Sequence, residues 1–451
     1  MLALLFIIIG LIIYFKKPKW VIFYWLTIMI FCLPPYAIIS HATTPIELSS
    51  LNNNLATITR NYFAILIAFE IFKGKRMPQL PKIYTSIILF TVYLFFWSAI
   101  THFSFHVIWS GVSELLSLIL PLIYILITKE KLPSNPQILL YLKGTIIVEL
   151  IIIGLNIFDI YLFPSMYMTQ FVENYLGEIA LLDDTKITGT FSRFNALGNF
   201  LTTIVLLMSV HYFSSNNIKL KKYVAILIIL IIPIALTGAK MSLVISFLIL
   251  LICCLTYYRS HKLFAIATIT GSILLFTFIK SINTINLQID NAGIERQIEG
   301  LSKFFNETDS DESSTAGISI YLLDKYFDKS PLIGCGYSYK GEFAYGTWGI
   351  VTLTNFRSDA RLAYILVEYG IIGFSIYMLF FSSIFSFLSK NVSIKYRRNF
   401  WIGFIYYLVL TITEAGFFDR LCFPLIFVYF IYCKREENTY QTNLIEKDKS
   451  Y

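Results

Sequence analysis

Hydrophobic residues follow one another along this chain in long runs, from Leu2 to Tyr432, with short polar stretches between them. A helix needs roughly 20 apolar residues to cross a bilayer core of about 30 Å. The runs that meet or approach this length predict an all-α, polytopic integral membrane protein with about 12–13 transmembrane helices. They lie near residues 2–15, 20–39, 56–72, 83–103, 107–128, 138–163, 194–213, 222–237, 241–258, 262–281, 362–389, 400–415 and 421–433.

The composition supports this class of protein. Of the 451 residues, 57% are hydrophobic and 14% are charged, which is more apolar surface than a soluble core could bury. The first run has no basic residue before it and no small-residue cleavage site after it. We therefore interpret it as a retained first helix and not as a signal peptide.

Lysine and arginine cluster at every second junction between the runs. This alternation is typical of loops that face the cytoplasm. It divides the chain into a transmembrane bundle (1–281), a large external loop with amphipathic helices (282–361), C-terminal transmembrane helices (362–433) and a cytoplasmic tail (434–451). The net charge of +8 comes from these clusters and does not indicate a nucleic-acid partner.

The sequence lacks the motifs of several common enzyme classes. There is no Walker loop, no HExxH, no GxSxG and no Cys/His cluster with zinc spacing. No carboxylate cluster has the spacing of metal ligands. We expect neither a bound metal nor a cofactor.

Three stretches at the predicted outer helix ends stand out. Residues 188–198 contain a GTF-x-x-x-N-x-L pattern, and residues 236–242 contain a Leu-Thr turn followed by Lys240. Residues 331–337 form a PL-x-G-x-G pattern late in the large loop, followed by Asp359 and by LVEYGIIG at 366–373.

In these stretches, and in their order, the chain resembles the O-antigen polymerase and O-antigen ligase superfamily of bacterial membrane glycosyltransferases. Lys240 stands where that family usually has Arg. Asp359 stands where the ligase branch would be expected to carry a histidine, so the polymerase branch is favoured.

The resemblance implies a multi-pass protein of the bacterial inner membrane that joins oligosaccharide repeat units of an O-antigen or capsule. Donor and acceptor would both be linked to a polyprenyl diphosphate, and a chain-length regulator would be a further partner. A lipid diphosphate at the outer interface needs cations, because fixed positive charge stabilises the leaving diphosphate. The candidates are Arg193, Lys240, Arg361 and, deeper in the loop, Arg357.

An acceptor hydroxyl must also lose its proton, for which a carboxylate beside the cations is the ordinary general base. The motif suggests Asp359 and Glu368 as catalytic residues, with Glu414 and Asp419 in reserve.

Each of these residues also has a structural explanation. Arg193 could pair with Asp183 or Asp184, Lys240 could snorkel, and Arg361 could simply begin its helix. Asp359 could stabilise a helix N-terminus, and Glu368 could belong to a buried structural pair.

Two other functions stay open from the sequence. An O-antigen ligase would transfer the finished chain to a different acceptor. A polysaccharide flippase or other transporter would have a similar number of helices and a basic cavity, but would not usually need so long an external loop.

Overall fold

The computed structural model describes residues 2–32, 48–101, 105–128, 131–158, 160, 162, 187, 189–191, 194–214, 229–237, 239, 242–249, 323, 327, 330–334 and 361–391. All regular elements in these ranges are helices, and the described ranges contain no strand. The all-α prediction is therefore confirmed. The helices are α1 (Leu2–Lys16), α2 (Val21–Thr27), α3 (Leu48–Phe72), α4 (Pro81–Thr101), α5 (Phe105–Ile127), α6 (Asn135–Ile157), α7 (Phe194–Ser214) and α8 (Arg361–Asn391).

Smaller helical pieces complete this set. A 3₁₀ turn at Pro18–Trp20 precedes α2, and a π-helical turn at Ile28–Cys32 follows it. Residues 229–236 and 242–249 are also helical. The predicted runs 262–281, 400–415 and 421–433 lie outside the described residues.

Helix boundaries differ from the prediction mainly where polar residues occur. Helix α3 begins at Leu48 and not near 56, because its first turns are rich in Ser and Asn and carry no hydrophobic signal. Helix α6 begins at Asn135, with the Ser134 backbone N–H donating to the Gln137 side chain at 3.0 Å. A capping contact of this kind fixes a helix start that a hydrophobicity pattern cannot locate.

Three predicted basic junctions meet at one end of the bundle. The Lys131 ammonium donates to both carboxylate oxygens of Glu70 at 2.8 Å, and the Tyr14 hydroxyl donates to the same carboxylate at 2.8 Å. The Lys73 ammonium donates to the Tyr14 hydroxyl at 2.7 Å. The last turns of α1 and α3 and the segment that follows α5 are joined in this way, and we call this end of the bundle the basic end.

Helices α3, α4 and α5, which follow one another through short connections, alternate in direction. Helix α3 packs on α5 and on α1, which run parallel to it, while α4 packs on α5 and on α8. Because α4 and α6 both start at the basic end, their last residues, Thr101 and Ile157, lie at the opposite end.

Among the described residues one stretch, Pro136–Ile157, is long and apolar enough to span a bilayer. Shorter apolar helical stretches of 10–17 residues include Leu4–Lys16, Pro81–Trp97 and Leu115–Ile127. The predicted number of spans stays a prediction.

Candidate functional site

The turn in the first motif is held by polar side chains of α6. The Gly189 N–H donates to the Asn156 side-chain oxygen at 2.9 Å, and the Thr190 N–H donates to the Glu149 carboxylate at 3.3 Å. The Thr190 hydroxyl donates to the same carboxylate. Glu149 and Thr190 are fully buried. The motif is therefore fixed by a carboxylate and an amide from a helix that precedes it by more than thirty residues.

This turn lies beside the helix and not beyond its end. Glu149 precedes the last residue of α6 by eight positions, which corresponds to about 12 Å along the axis. In membrane proteins, irregular backbone beside a spanning helix is tolerated only where protein groups satisfy its N–H and C=O groups or where it lines a cavity. Here the side chains of Asn156 and Glu149 accept hydrogen bonds from the N–H groups of Gly189 and Thr190.

A substitution at Gly189 directly tests whether Glu149 and Asn156 hold this turn. Its φ is +58°, and a Cβ added there would lie 2.7 Å from a Glu149 carboxylate oxygen. We expect Gly189→Ala to lower the free energy of unfolding by roughly 2–4 kcal/mol, through left-handed backbone strain and the clash. Thermal unfolding of the purified protein in detergent measures this.

The matched control is Gly154→Ala on α6, where an added Cβ meets no atom within 4 Å. A helical Gly→Ala change stabilises by up to about 1 kcal/mol. Equal unfolding temperatures for the two variants would show that the turn is not built as described.

The first and second motifs pack against each other. The position of a Cβ on Gly198 would be 2.6 Å from the Ala239 Cβ, so only glycine permits this approach. One residue later, the Asn199 side-chain oxygen accepts from the Ser242 hydroxyl at 2.9 Å. The first turns of α7 and the turn before Ser242 therefore form one polar junction.

This junction continues as a ladder of hydroxyls. The Ser246 hydroxyl donates to Thr202 at 3.1 Å, and the Thr202 hydroxyl reaches the Ser242 carbonyl at 3.2 Å. All three side chains are buried. Buried hydroxyls that bond each other across two helices lock the relative height of those helices.

The two halves of the third motif also meet in the structure. Helix α8 is broken at Gly370, where φ is +64° and ψ is −173°. The Ile371 N–H donates to the Pro331 carbonyl at 2.9 Å, and the Ile372 N–H donates to the Leu332 carbonyl at 3.1 Å. In an unbroken helix these two N–H groups would bond to carbonyls four residues earlier. The 331–334 turn replaces one turn of helical hydrogen bonding.

Aromatic residues of α4 complete the hydrogen bonds of this junction. The Tyr93 hydroxyl contacts the Ile333 carbonyl at 2.7 Å and also contacts the Tyr369 carbonyl. The Trp97 indole N–H donates to the Gly334 carbonyl at 3.4 Å. Tyr93 lies eight residues before the last residue of α4, so this turn also lies about 12 Å below a helix end opposite the basic end.

These contacts do not include most of the site residues that were predicted from the sequence. Arg193, Lys240, Arg357 and Asp359 lie outside the described residues, as do the reserve carboxylates Glu414 and Asp419. Arg361 begins α8 and Glu368 lies two residues before its break, but the side chains of both lie outside the described part.

Their described neighbours nevertheless show how the stretches are arranged. Arg193 directly precedes α7, and Lys240 directly follows Ala239, which packs on Gly198 one helical turn into α7. The first stretch therefore packs against the second, and the two parts of the third stretch contact each other. All three lie in the half of the bundle away from the basic end.

The residues that hold the motifs belong to no motif of the sequence and were not predicted. Glu149 and Asn156 are isolated polar residues in an otherwise apolar run, and that isolation was an available signal. Tyr93 and Trp97 had no such signal, since aromatic residues are abundant along the whole chain.

No described group of three or more His, Cys, Asp or Glu side chains could hold a metal ion. The expectation of metal-free chemistry stays a prediction. No model of a known protein family matches this sequence, and none of the curated proteins compared with it does.

Proposed function

We propose that this protein is a multi-pass bacterial inner-membrane glycosyltransferase that polymerises O-antigen or capsule repeat units carried on a polyprenyl diphosphate. One observation carries the proposal. The described parts of the three sequence stretches that resemble the polymerase and ligase superfamily all lie in the half of the bundle away from the basic end, where hydrogen bonds to other segments hold them. Residues far apart in the chain are thus organised in one half of the bundle.

Exposed apolar surface supports the membrane part of the proposal. Large hydrophobic side chains of α1, α4 and α6 are more than half exposed, among them Leu4, Ile88, Phe96, Ile100 and Ile151. Water would disfavour such helix faces, whereas lipid tails would cover them. The meeting of basic junctions at one end also matches the orientation bias of membrane proteins.

The proposed reaction needs a nucleophile, a base and cations. A hydroxyl oxygen of the acceptor sugar attacks the anomeric carbon of the donor, the bond from that carbon to the phosphate oxygen breaks, and the polyprenyl diphosphate leaves. The hydroxyl proton passes to Asp359, with Glu368 as the second candidate base. Arg193, Lys240 and Arg361 stabilise the charge of the diphosphates, and Arg357 assists from the loop.

Reconstitution tests the function. Purified protein in vesicles receives a synthetic polyprenyl-diphosphate repeat unit, and the products are separated by length. A ladder of products identifies a polymerase. A single transfer to a different glycolipid identifies a ligase, and movement across the vesicle without a new glycosidic bond identifies a transporter; either result contradicts the proposal.

The proposed orientation makes a separate prediction. Gln79 is exposed in the junction between α3 and α4 at the basic end, so a cysteine there should face the cytoplasm. In a variant without the native cysteines, we expect a membrane-impermeant thiol reagent to label Ser313→Cys in intact cells with a permeabilised outer layer. It should label Gln79→Cys and Ser450→Cys only after the inner membrane is opened. The reverse order of labelling would invert the topology.

A further inference from the structure

Arg60 is a buried cation at the middle of α3. It is 8% exposed, and its described hydrogen-bond partners are neutral. The guanidinium donates from Nε to the Asn61 side-chain oxygen at 3.2 Å and from a terminal nitrogen to the Ser113 hydroxyl. Among the described side chains, Lys131 forms an ion pair with Glu70, and Arg60 contacts no described carboxylate. A guanidinium has more N–H donors than these two contacts use.

An exposed aromatic pair covers this cation. The guanidinium carbon lies 4.6 Å from the centre of the Trp109 ring. Trp109 stacks on Phe105 at 6.4 Å with the ring planes 10° apart, and the two side chains are 46% and 69% exposed. A buried positive charge and an apolar surface open to the outside therefore lie next to each other.

The position of this pair along the bundle is known from α5. Ser113 is eight residues from Phe105, the first residue of the helix, so Arg60 lies about 12 Å below the end opposite the basic end. A cation within an apolar helix bundle is costly to keep there, and such residues generally mark a ligand or ion site.

We propose that Arg60, Ser113 and Trp109 form a binding site for the oxyanion headgroup of a lipid whose apolar chain lies along Trp109 and Phe105. The fork of the guanidinium suits two phosphate oxygens, the Ser113 hydroxyl fixes its orientation, and the aromatic pair contacts the chain. The proposal rests on the proposed function only for the kind of lipid, a polyprenyl diphosphate. A polymerase must hold two such lipids, donor and acceptor, and Arg60, Ser113 and Trp109 belong to none of the three motif stretches.

A rival explanation is an internal ion pair. Glu114 follows Ser113 in the sequence, which makes its carboxylate the nearest alternative counter-ion by position. In that case Arg60 would be structural, and its loss would affect stability without affecting ligand affinity.

The experiment measures binding to the full-length protein purified in detergent. The ligands are farnesyl diphosphate as the lipid oxyanion, inorganic diphosphate as the free anion and farnesol as the chain without charge. We expect farnesyl diphosphate to bind most tightly, and Arg60→Gln to raise its Kd at least roughly tenfold, as expected for a lost charge-assisted contact. Lys82→Gln, an exposed change at the basic end, should leave the Kd unchanged.

Several outcomes would overturn the proposal. If farnesol bound as tightly as farnesyl diphosphate, the site would not recognise the anion. If inorganic diphosphate bound equally well, the site would not recognise the lipid chain. An unchanged Kd in Arg60→Gln, with a loss of stability that Glu114→Gln reproduces, would establish the ion pair instead.

Milder variants keep the test valid if Arg60→Gln does not accumulate. Ser113→Ala and Trp109→Leu should each weaken farnesyl diphosphate binding several-fold, and an unchanged Kd in both would reject the site. Polymer formation is scored separately in vesicles. Arg60-dependent binding without any product ladder supports the site and rejects the proposed function, whereas a normal ladder with Arg60-independent binding does the opposite.

Discussion

Arg193→Ala and Arg361→Ala should each abolish surface polymer while the protein still inserts and accumulates. Each arginine lies next to a motif whose backbone is held in the half of the bundle away from the basic end, Arg193 before α7 and Arg361 at the start of α8. Loss of one fixed donor to a developing negative charge typically slows a reaction by roughly 10²–10³-fold. The measurement is the length distribution of surface polysaccharide in a polymerase-null strain, at matched membrane levels of each variant.

Conservative variants separate charge from geometry. Arginine binds phosphate through two parallel hydrogen bonds, whereas lysine provides a point charge. We therefore expect Arg193→Lys to lose much of the activity and Lys240→Arg to be tolerated. Lys219→Ala and Lys221→Ala, in a predicted cytoplasmic cluster, are the matched controls and should be nearly silent. A normal ladder from both arginine-to-alanine variants would return these residues to a purely structural role.

The sequence predicted the helices because hydrophobic runs are a strong, local signal. The runs at 2–15, 83–103 and 107–128 correspond to α1, α4 and α5 within a few residues. The contacts of Lys73 and Lys131 bring together helix ends that carry predicted basic clusters, while the side of the membrane that these clusters face stays a prediction. Charge clusters and hydrophobic runs are local patterns along the chain, so a single sequence is enough to recognise them.

The sequence could not predict what holds the motifs in place. The hydrogen bond between Thr190 and Glu149 joins positions that are 41 residues apart, and the contact of Tyr93 with Ile333 joins positions that are 240 residues apart. Such pairings depend on how helices pack, and the same apolar faces allow many packings. Even so, Gly189 and Gly370 were conspicuous within their motifs, and both adopt a positive φ.

The sequence does not predict the break in α8 either, because the run 362–389 predicts one continuous span. The reason is physical: LVEYGIIG has the hydrophobicity of a helix throughout, and a single glycine in such a run is usually tolerated. The break requires a second segment to satisfy the N–H groups of Ile371 and Ile372, and the 331–334 turn does so from far away in the sequence.

Gly370→Ala should therefore disrupt the junction between the large loop and α8. An added Cβ would lie 2.4 Å from the Leu332 carbonyl oxygen and 2.5 Å from the Gly334 nitrogen, both backbone atoms that cannot rotate away. The positive φ adds about 1–2 kcal/mol of strain for a non-glycine residue, and overpacking adds about 1–3 kcal/mol. We expect a loss of several kcal/mol in stability, measured by thermal unfolding in detergent, together with a loss of polymer.

Two further variants show whether the turn or the helix causes this effect. Gly144→Ala on α6 meets no atom within 4 Å and should be neutral or slightly stabilising. Tyr93→Phe keeps the ring but removes the hydroxyl that contacts the Ile333 and Tyr369 carbonyls, so it should cost about 1–3 kcal/mol and reduce polymer length or yield without abolishing insertion. If Gly370→Ala unfolded at the same temperature as Gly144→Ala, α8 would be continuous at this position. The 331–334 turn would then not hold the loop against it, because an unbroken helix offers no free N–H groups to the Pro331 and Leu332 carbonyls.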